Sequence, residues 1–247
     1  MKDSTALVTG GSRGIGRAAA VALAQAGARH VVIGYVENEA AAHEACREVD
    51  AAGAGSHMVR ANLAHPAEID RLFDDVRARL DRIDIFVHCA ALAAFKPLMS
   101  TRQNQWDLTV NINARAFLLC VQQCAPLMVH GGSIVAVSSL GSSRVMPAYG
   151  AMGPTKAALE SLVRGLAVEL GPRGIRVNAV SAGLITGTAA AELAGAGAAL
   201  SAARARTPLA RDGEPGDLAG VIAFLAGSDS GWITGQTIVA DGGYSLS

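Results

Sequence analysis

Net charge is missing from this 247-residue chain: 21 basic residues balance 21 acidic ones, and neither half carries a run of like charge. Electrostatic attraction to nucleic acid or to an anionic membrane therefore has no source. Long hydrophobic runs are missing too, since no apolar stretch reaches the roughly 20 residues that a bilayer span needs. The first strand-like run, Thr5 to Thr9, begins almost at Met1 and leaves no room there for the charged, apolar and cleavage regions of a leader. The expectation is a cytoplasmic protein with neither nucleic acid nor membrane as partner. Cysteines are few, and Cys46, Cys89, Cys120 and Cys124 lack paired metal spacing. They read as reduced fillers, with no metal site expected. Internal repeats, low-complexity linkers and composition breaks are also absent, so one domain over residues 1–247 is expected.

What is present is apolar and glycine-rich: 51% of residues are hydrophobic and 28 are glycine. Short Val/Ile-rich runs alternate with Ala-rich helical stretches, at Ala6 to Thr9, Val31 to Tyr35, His57 to Ala61, Ile83 to Cys89, Ser133 to Ser138, Arg176 to Ser181 and Thr237 to Ala240. Strands alternating with helices predict an α/β fold, a seven-stranded parallel sheet covered by helices on both faces. Right-handed crossovers then make an open, doubly wound Rossmann sheet the leading topology. The stretch from Thr188 to Arg206 is the least strand-like and reads equally as a helical flap, about 187–207, or as a weakly capped surface helix.

Between the first strand and the helical run Arg17 to Ala26 lies Thr9-Gly10-Gly11-Ser12-Arg13-Gly14-Ile15-Gly16. Glycines allow a sharp turn and bring backbone amides close to a pyrophosphate, which the unpaired N–H groups of the helix N-terminus attract. The placement between strand and helix is what makes this cluster informative. Together with Asn113, Ser139, Tyr149, Lys156, Gly183 and Ile185, the loop resembles the short-chain dehydrogenase/reductase superfamily, from about Thr5 to Gly243. The resemblance implies a Rossmann-like domain, its cofactor half about residues 1–130, that binds NAD(H) or NADP(H), usually as a homotetramer.

The resemblance assigns cofactor contacts to Gly10, Ser12, Arg13, Gly14, Ile15, Gly16, Tyr35, Asn62, Leu63, Ala90, Lys156, Gly183, Ile185 and Thr188, with Thr186 a second candidate on the nicotinamide side. An acidic residue at the end of the second strand would bond the adenosine ribose and repel a 2′-phosphate, but that position is Tyr35. Arg13 resembles the basic residue with which relatives meet the phosphate, whereas Glu37 argues the other way. NADPH is expected over NADH. Where many relatives carry Asn-Asn-Ala-Gly, this chain reads His88-Cys89-Ala90-Ala91, and His88 reads as a packed, hydrogen-bonded core residue. Ala182 similarly replaces a proline ahead of Gly183.

Superfamily ketone reductases typically carry Tyr-x-x-x-Lys, and in this chain that tyrosine position is Met152. The nearest phenol is Tyr149, in Tyr-Gly-Ala-Met-Gly-Pro-Thr-Lys with six residues between Tyr149 and Lys156. Tyr-x6-Lys resembles the enoyl-acyl-carrier-protein reductases of the superfamily, and Asn111-Ile112-Asn113-Ala114 and Asn178-Ala179-Val180-Ser181 resemble their NADPH-dependent branch. Seven helical residues turn about 700° and rise roughly 10 Å, so both groups would share a face two turns apart. A phenol set outward suits the oxygen of an enolate formed when hydride reaches Cβ of an enoyl thioester. Lys156 would hold the nicotinamide ribose and lower the pKa of Tyr149. Ser139 would hold the substrate carbonyl or the Tyr149 hydroxyl, or merely end a strand. Asn113, in preference to Asn111, would hold a water near the lysine. Pro154 favours a helix starting near Gly153, whereas the family implies an earlier start with a kink at Pro154.

The expected substrate is thus a 2-enoyl thioester on acyl-carrier protein or coenzyme A. Arg204 and Arg206 are candidates for its phosphate or for an acidic carrier, or form a solvated face. Two alternatives stay open: a 3-oxoacyl or other ketone reductase, and a non-catalytic NADP(H) sensor or scaffold.

Overall fold

All seven apolar runs form strands: β1 (Thr5–Thr9), β2 (His30–Tyr35), β3 (Gly55–Arg60), β4 (Ile85–His88), β5 (Gly132–Ser139), β6 (Ile175–Ala182) and β7 (Thr237–Ala240). The computed structural model describes residues 1–92, 95–146, 148–188 and 196–247, without the side chains of residues 196, 198 and 199. Helices follow as α1 (Gly14–Gln25), α2 (Glu39–Ala51), α3 (Pro66–Arg79), α4 (Gln103–Val110), α5 (Ala116–Cys124), α6 (Met152–Leu170), α7 (Ala196–Arg206) and α8 (Pro215–Ala226). A π-helical turn, Asn111–Arg115, joins α4 to α5. The strands pair in parallel in the order β3-β2-β1-β4-β5-β6-β7. This is the expected seven-stranded Rossmann-like α/β sheet.

Strand periodicity divides the core. Successive side chains of β1 point to opposite faces, so Leu7 joins Phe73 of α3, Phe117 of α5 and Val163 of α6, while Ala6 and Val8 join Leu23 of α1, Ala42 of α2 and Ile222 of α8. A strand buried on both faces has no polar alternation to offer, which is why β1 reads as a continuous apolar run. Among the described residues no helix is long and apolar enough to cross a membrane.

From β1 the chain adds β2 and β3 on one side, then returns to lay β4 on the other, with Thr9 opposite both Gly34 and His88. A crevice opens at the carboxyl ends of strands at such a switch point. Local boundaries differ from the sequence reading. Helix α1 begins at Gly14, three residues before Arg17, because the glycine loop itself supplies the first turn. Strand β4 is shorter than Ile83 to Cys89, since the Ile83 N–H donates to the Leu127 carbonyl outside the sheet. Of the flap, residues 189–195 lie outside the described residues and 196–206 form α7.

Candidate active site

The glycine loop leaves β1 at Thr9 and enters α1 through Gly14, with Gly10 and Gly14 at positive φ (66° and 53°). A Cβ on Gly10 would lie 2.8 Å from the Ala90 nitrogen, and one on Gly16 would overlap the Gly10 carbonyl. The loop therefore packs backbone on backbone, and L side chains rarely adopt such φ values. No side chain caps the first turn of α1, and Gly14, Ile15 and Gly16 line the crevice, so the unpaired N–H groups of that turn are suited to an anion. The crevice is a cavity of about 690 Å³, and its lining includes every residue assigned above to the cofactor, from Gly10 in the loop to Thr188. Thr186 is not among them; its hydroxyl and N–H both go to the Gly213 carbonyl. Arg13, Tyr35 and Glu37 all line this crevice. Asn62 turns its side chain back to accept the Ala64 N–H. The glycine cradle, the uncapped helix end and the cavity fit a nicotinamide dinucleotide.

Three consecutive residues at the end of β5 grip the other side of the crevice. The Val137 carbonyl accepts the Lys156 ammonium at 2.7 Å, the Ser138 hydroxyl donates to Glu160 at 2.5 Å, and the Ser139 Oγ accepts the Tyr149 hydroxyl at 2.8 Å. Lys156 is buried, which lowers its pKa to about 8. His88 is buried against Phe86 and Phe117, with Nδ1 3.0 Å from the Thr9 hydroxyl. Burial, then the charge of Lys156, pushes it to about 3, so it is neutral and packed, as the sequence suggested. Cys89 beside it is pushed up to about 12, again by burial.

Helix α6 starts at Met152 with Ala151 as its N-cap, rather than with a cap at Gly153. Pro154 falls in the first turn, where its missing N–H is tolerated, so it does not kink the helix interior. Tyr149 sits in the turn before α6, its carbonyl accepting the Gly153 N–H at 3.1 Å. The ideal two-turn relation to Lys156 therefore applies only from Met152 onward. What fixes the phenol instead is packing: a Cβ on Gly141 would overlap the Tyr149 ring, and the Phe95 ring tilts toward it with centroids 5.6 Å apart. Burial raises the Tyr149 pKa, and the Ser139 hydroxyl only partly opposes this. The expected lowering by Lys156 is corrected here, because the ammonium is spent on Val137 and burial dominates the phenol.

Met152 is buried, and its sulfur accepts from Asn113 Nδ2 at 3.2 Å. Asn113 lies fully buried in the π-helical turn, where its side chain holds the Leu92 N–H and carbonyl and the Thr155 hydroxyl. It lines neither cavity, and its side chain ties residue 92 to the 152–155 segment. Beyond Tyr149 opens a second, apolar cavity of about 600 Å³, and Phe95, Ser139, Tyr149, Gly183 and Ile185 line both cavities. Arg204 and Arg206 border it, but Arg206 donates to the Ser247 carbonyl at 2.7 Å and lies over the Tyr244 ring, and Arg204 pairs with Asp212 at 3.6 Å. The sequence reading missed Gly141, Phe95 and Glu160, because nothing local announces a ring contact or a bond across to another element.

A family model described as enoyl-(acyl carrier protein) reductase matches residues 10–245. The chain is 42% identical over 247 residues to 1-cyclohexenylcarbonyl-CoA reductase of Streptomyces collinus, covering 99% of this chain and 88% of that protein. It is 33% identical over 241 residues to a 3-oxoacyl-[acyl-carrier-protein] reductase of Staphylococcus aureus, covering 97% of each. Among solved structures, a short-chain type dehydrogenase/reductase from Mycobacterium ulcerans superposes with a TM-score of 0.90 at 34% identity, covering 100% of this chain and 91% of that one. The chain belongs to the short-chain dehydrogenase/reductase family. It is an oxidoreductase whose family implies a nicotinamide cofactor.

Proposed function

We propose that this protein reduces the 2,3 double bond of an enoyl thioester, carried by coenzyme A or acyl-carrier protein, with NADPH as the reductant. One observation carries the reading: the phenol at the junction of the two cavities belongs to Tyr149, while the position a ketone reductase gives to tyrosine holds a buried Met152 bonded to Asn113. The 42% identity to an enoyl-CoA-type reductase supports the same substrate class.

The chemistry follows from where charge develops. Held in the cleft, a reduced nicotinamide would be the source of the hydride that Cβ of the unsaturated thioester receives. The electron pair of the double bond then moves to the thioester oxygen, and Tyr149 donates its O–H to that enolate oxygen, the kind of preorganised contact that often dominates catalysis. Burial keeps the phenol protonated and ready to donate. Ser139 accepts the same hydroxyl and aligns it before substrate arrives. One proton taken up at Cα from solvent then completes the saturated thioester. Lys156 would hold the nicotinamide ribose hydroxyls, with Gly183, Ile185 and Thr188 bordering the nicotinamide end. Arg13 is the residue we assign to the 2′-phosphate, which favours NADPH. The chain would act as one domain in a cytoplasmic homotetramer, with α7 as part of a flap over the acyl cavity.

The 3-oxoacyl reductase relative supplies the competing reading, in which the Tyr149 phenol protonates an alkoxide. Following NADPH oxidation with crotonyl and acetoacetyl thioesters side by side separates the two. Turnover of the crotonyl substrate supports the proposal, turnover of the acetoacetyl substrate alone overturns it, and NADPH binding without turnover of either would point to a sensor.

A further inference from the structure

Lys156 and Glu160 stand four residues apart on α6, hence on one face of the helix and one turn from each other. Both reach the same strand. The ammonium donates to the Val137 carbonyl and the Glu160 carboxylate accepts the adjacent Ser138 hydroxyl. No ion pair within 4 Å joins Lys156 to Glu160 among the described residues, and the carboxylate is pinned by Ser138, which is 3% exposed. We propose that Glu160, held by Ser138, is a positioning residue that keeps the buried Lys156 in its cationic form so that it can hold the cofactor ribose. The inference rests on the role given above to Lys156, but it does not depend on which thioester is reduced.

The surroundings leave this task to Glu160. From β4 and the residue after it, His88 is neutral at working pH and Cys89 remains a thiol, since burial pushes its pKa up to about 12, far above where Lys156 titrates. The thiolate that would favour the ammonium is therefore not formed. From β5 come a carbonyl and two hydroxyls, and from the turn before α6 a protonated phenol. Burial works against the charge, and a carboxylate one turn away works for it. A lysine whose charge fades near neutrality would lose the ribose just where the enzyme operates.

The chain offers a direct readout, because it contains three lysines, Lys2, Lys96 and Lys156. Protein labelled with 13C at the lysine ε-carbon gives three signals to titrate between pH 6 and 11 in the cofactor-free state, assigned by Lys2→Arg and Lys96→Arg. In Glu160→Gln, which keeps the shape and an acceptor for Ser138, the Lys156 midpoint should fall by about one pH unit while Lys2 and Lys96 stay put. The alkaline limb of NADPH affinity, followed by fluorescence without substrate, should move down by the same amount. Ser138→Ala, which frees the carboxylate, should move both in the same direction by less, and serves if the glutamine variant does not fold. An unmoved Lys156 midpoint in a folded variant overturns the proposal. Loss of thioester turnover with unmoved midpoints would count against it equally, whereas a moved midpoint with turnover of acetoacetyl substrate alone would overturn the enoyl reading and leave this one standing.

Discussion

The cofactor cleft and the proposed acyl cavity share one phenol, yet they are built in opposite ways. The cleft is made of backbone that follows directly on strand ends: Gly10 against Ala90 after β1 and β4, and the open N-terminus of α1. The cavity is assembled from side chains that come from residues 95 to 244. Arg144 reaches the Ser245 carbonyl across 101 residues, and Arg206 of α7 holds Tyr244 and Ser247. Where the cleft is backbone it is sensitive to any added Cβ, and its side-chain chemistry rests on a few residues such as Arg13 and Lys156. A site made of side chains can change substrate without changing fold. That difference explains how relatives of similar architecture include both an enoyl-type and a 3-oxoacyl reductase.

The contrast sets the order of expected effects. The largest is Tyr149→Phe, which should lower kcat on an enoyl thioester by about 10²–10³-fold, the loss typical of one oxyanion donor, while NADPH affinity in a fluorescence titration stays within about threefold. Equal loss of cofactor affinity would mean that the two cavities are not separable at this residue. Gly141→Ala should come next: the methyl displaces the Tyr149 ring, so kcat falls by about tenfold or more at unchanged NADPH affinity, with about 1–3 kcal/mol of stability lost in urea unfolding. Met152→Tyr supplies a phenol at the ketone-reductase position, and measurable acetoacetyl reduction by this variant would support the register argument directly.

Smaller effects come from pH. Lys156 carries its charge below about 8 and loses it as pH rises, so kcat/KM should fall along an alkaline limb near pH 8 in wild type. At the far edge of the cofactor half, His30 Nε2 and His57 Nδ1 lie 2.8 Å apart, and burial lowers both pKa values. A lowered folded-state pKa favours the neutral ring, so stability is present above the unfolded value of about 6.5 and is lost as pH falls through it. Partial exposure screens this, and a Tm decrease of roughly 2 °C between pH 7 and 5 is expected, diminished in His57→Gln. A matching change in activity would be inconsistent with the separation drawn between fold and site.

How much of this was legible beforehand follows the same division. The inner strands were readable because a strand buried on both faces is a continuous apolar run, the partly exposed β3 and β7 were placed by their alternation with helical stretches, and the glycine loop was readable because its geometry is local. Of the nucleotide-side candidates, all but Thr186 line the cleft. The substrate side was less readable. Pro154 left two starts open for α6, and the capping pattern at Gly153 lost to a helix begun at Met152. Asn113 carried no local sign that its side chain would tie Leu92 to Met152 and Thr155. The pKa of Tyr149 depended on burial between Gly141 and Phe95, which no spacing encodes. Arg206 read equally as a ligand contact or a solvated face, and nothing local announced that Tyr244 and Ser247 would meet it.

The most direct test of the central claim is a competition. The wild-type protein is given equal crotonyl- and acetoacetyl-CoA with NADPH deuterated at the transferring position, and the label is located in the products by NMR. The account predicts deuterium at C3 of butyryl-CoA as the dominant product. Deuterium found solely in 3-hydroxybutyryl-CoA would contradict it.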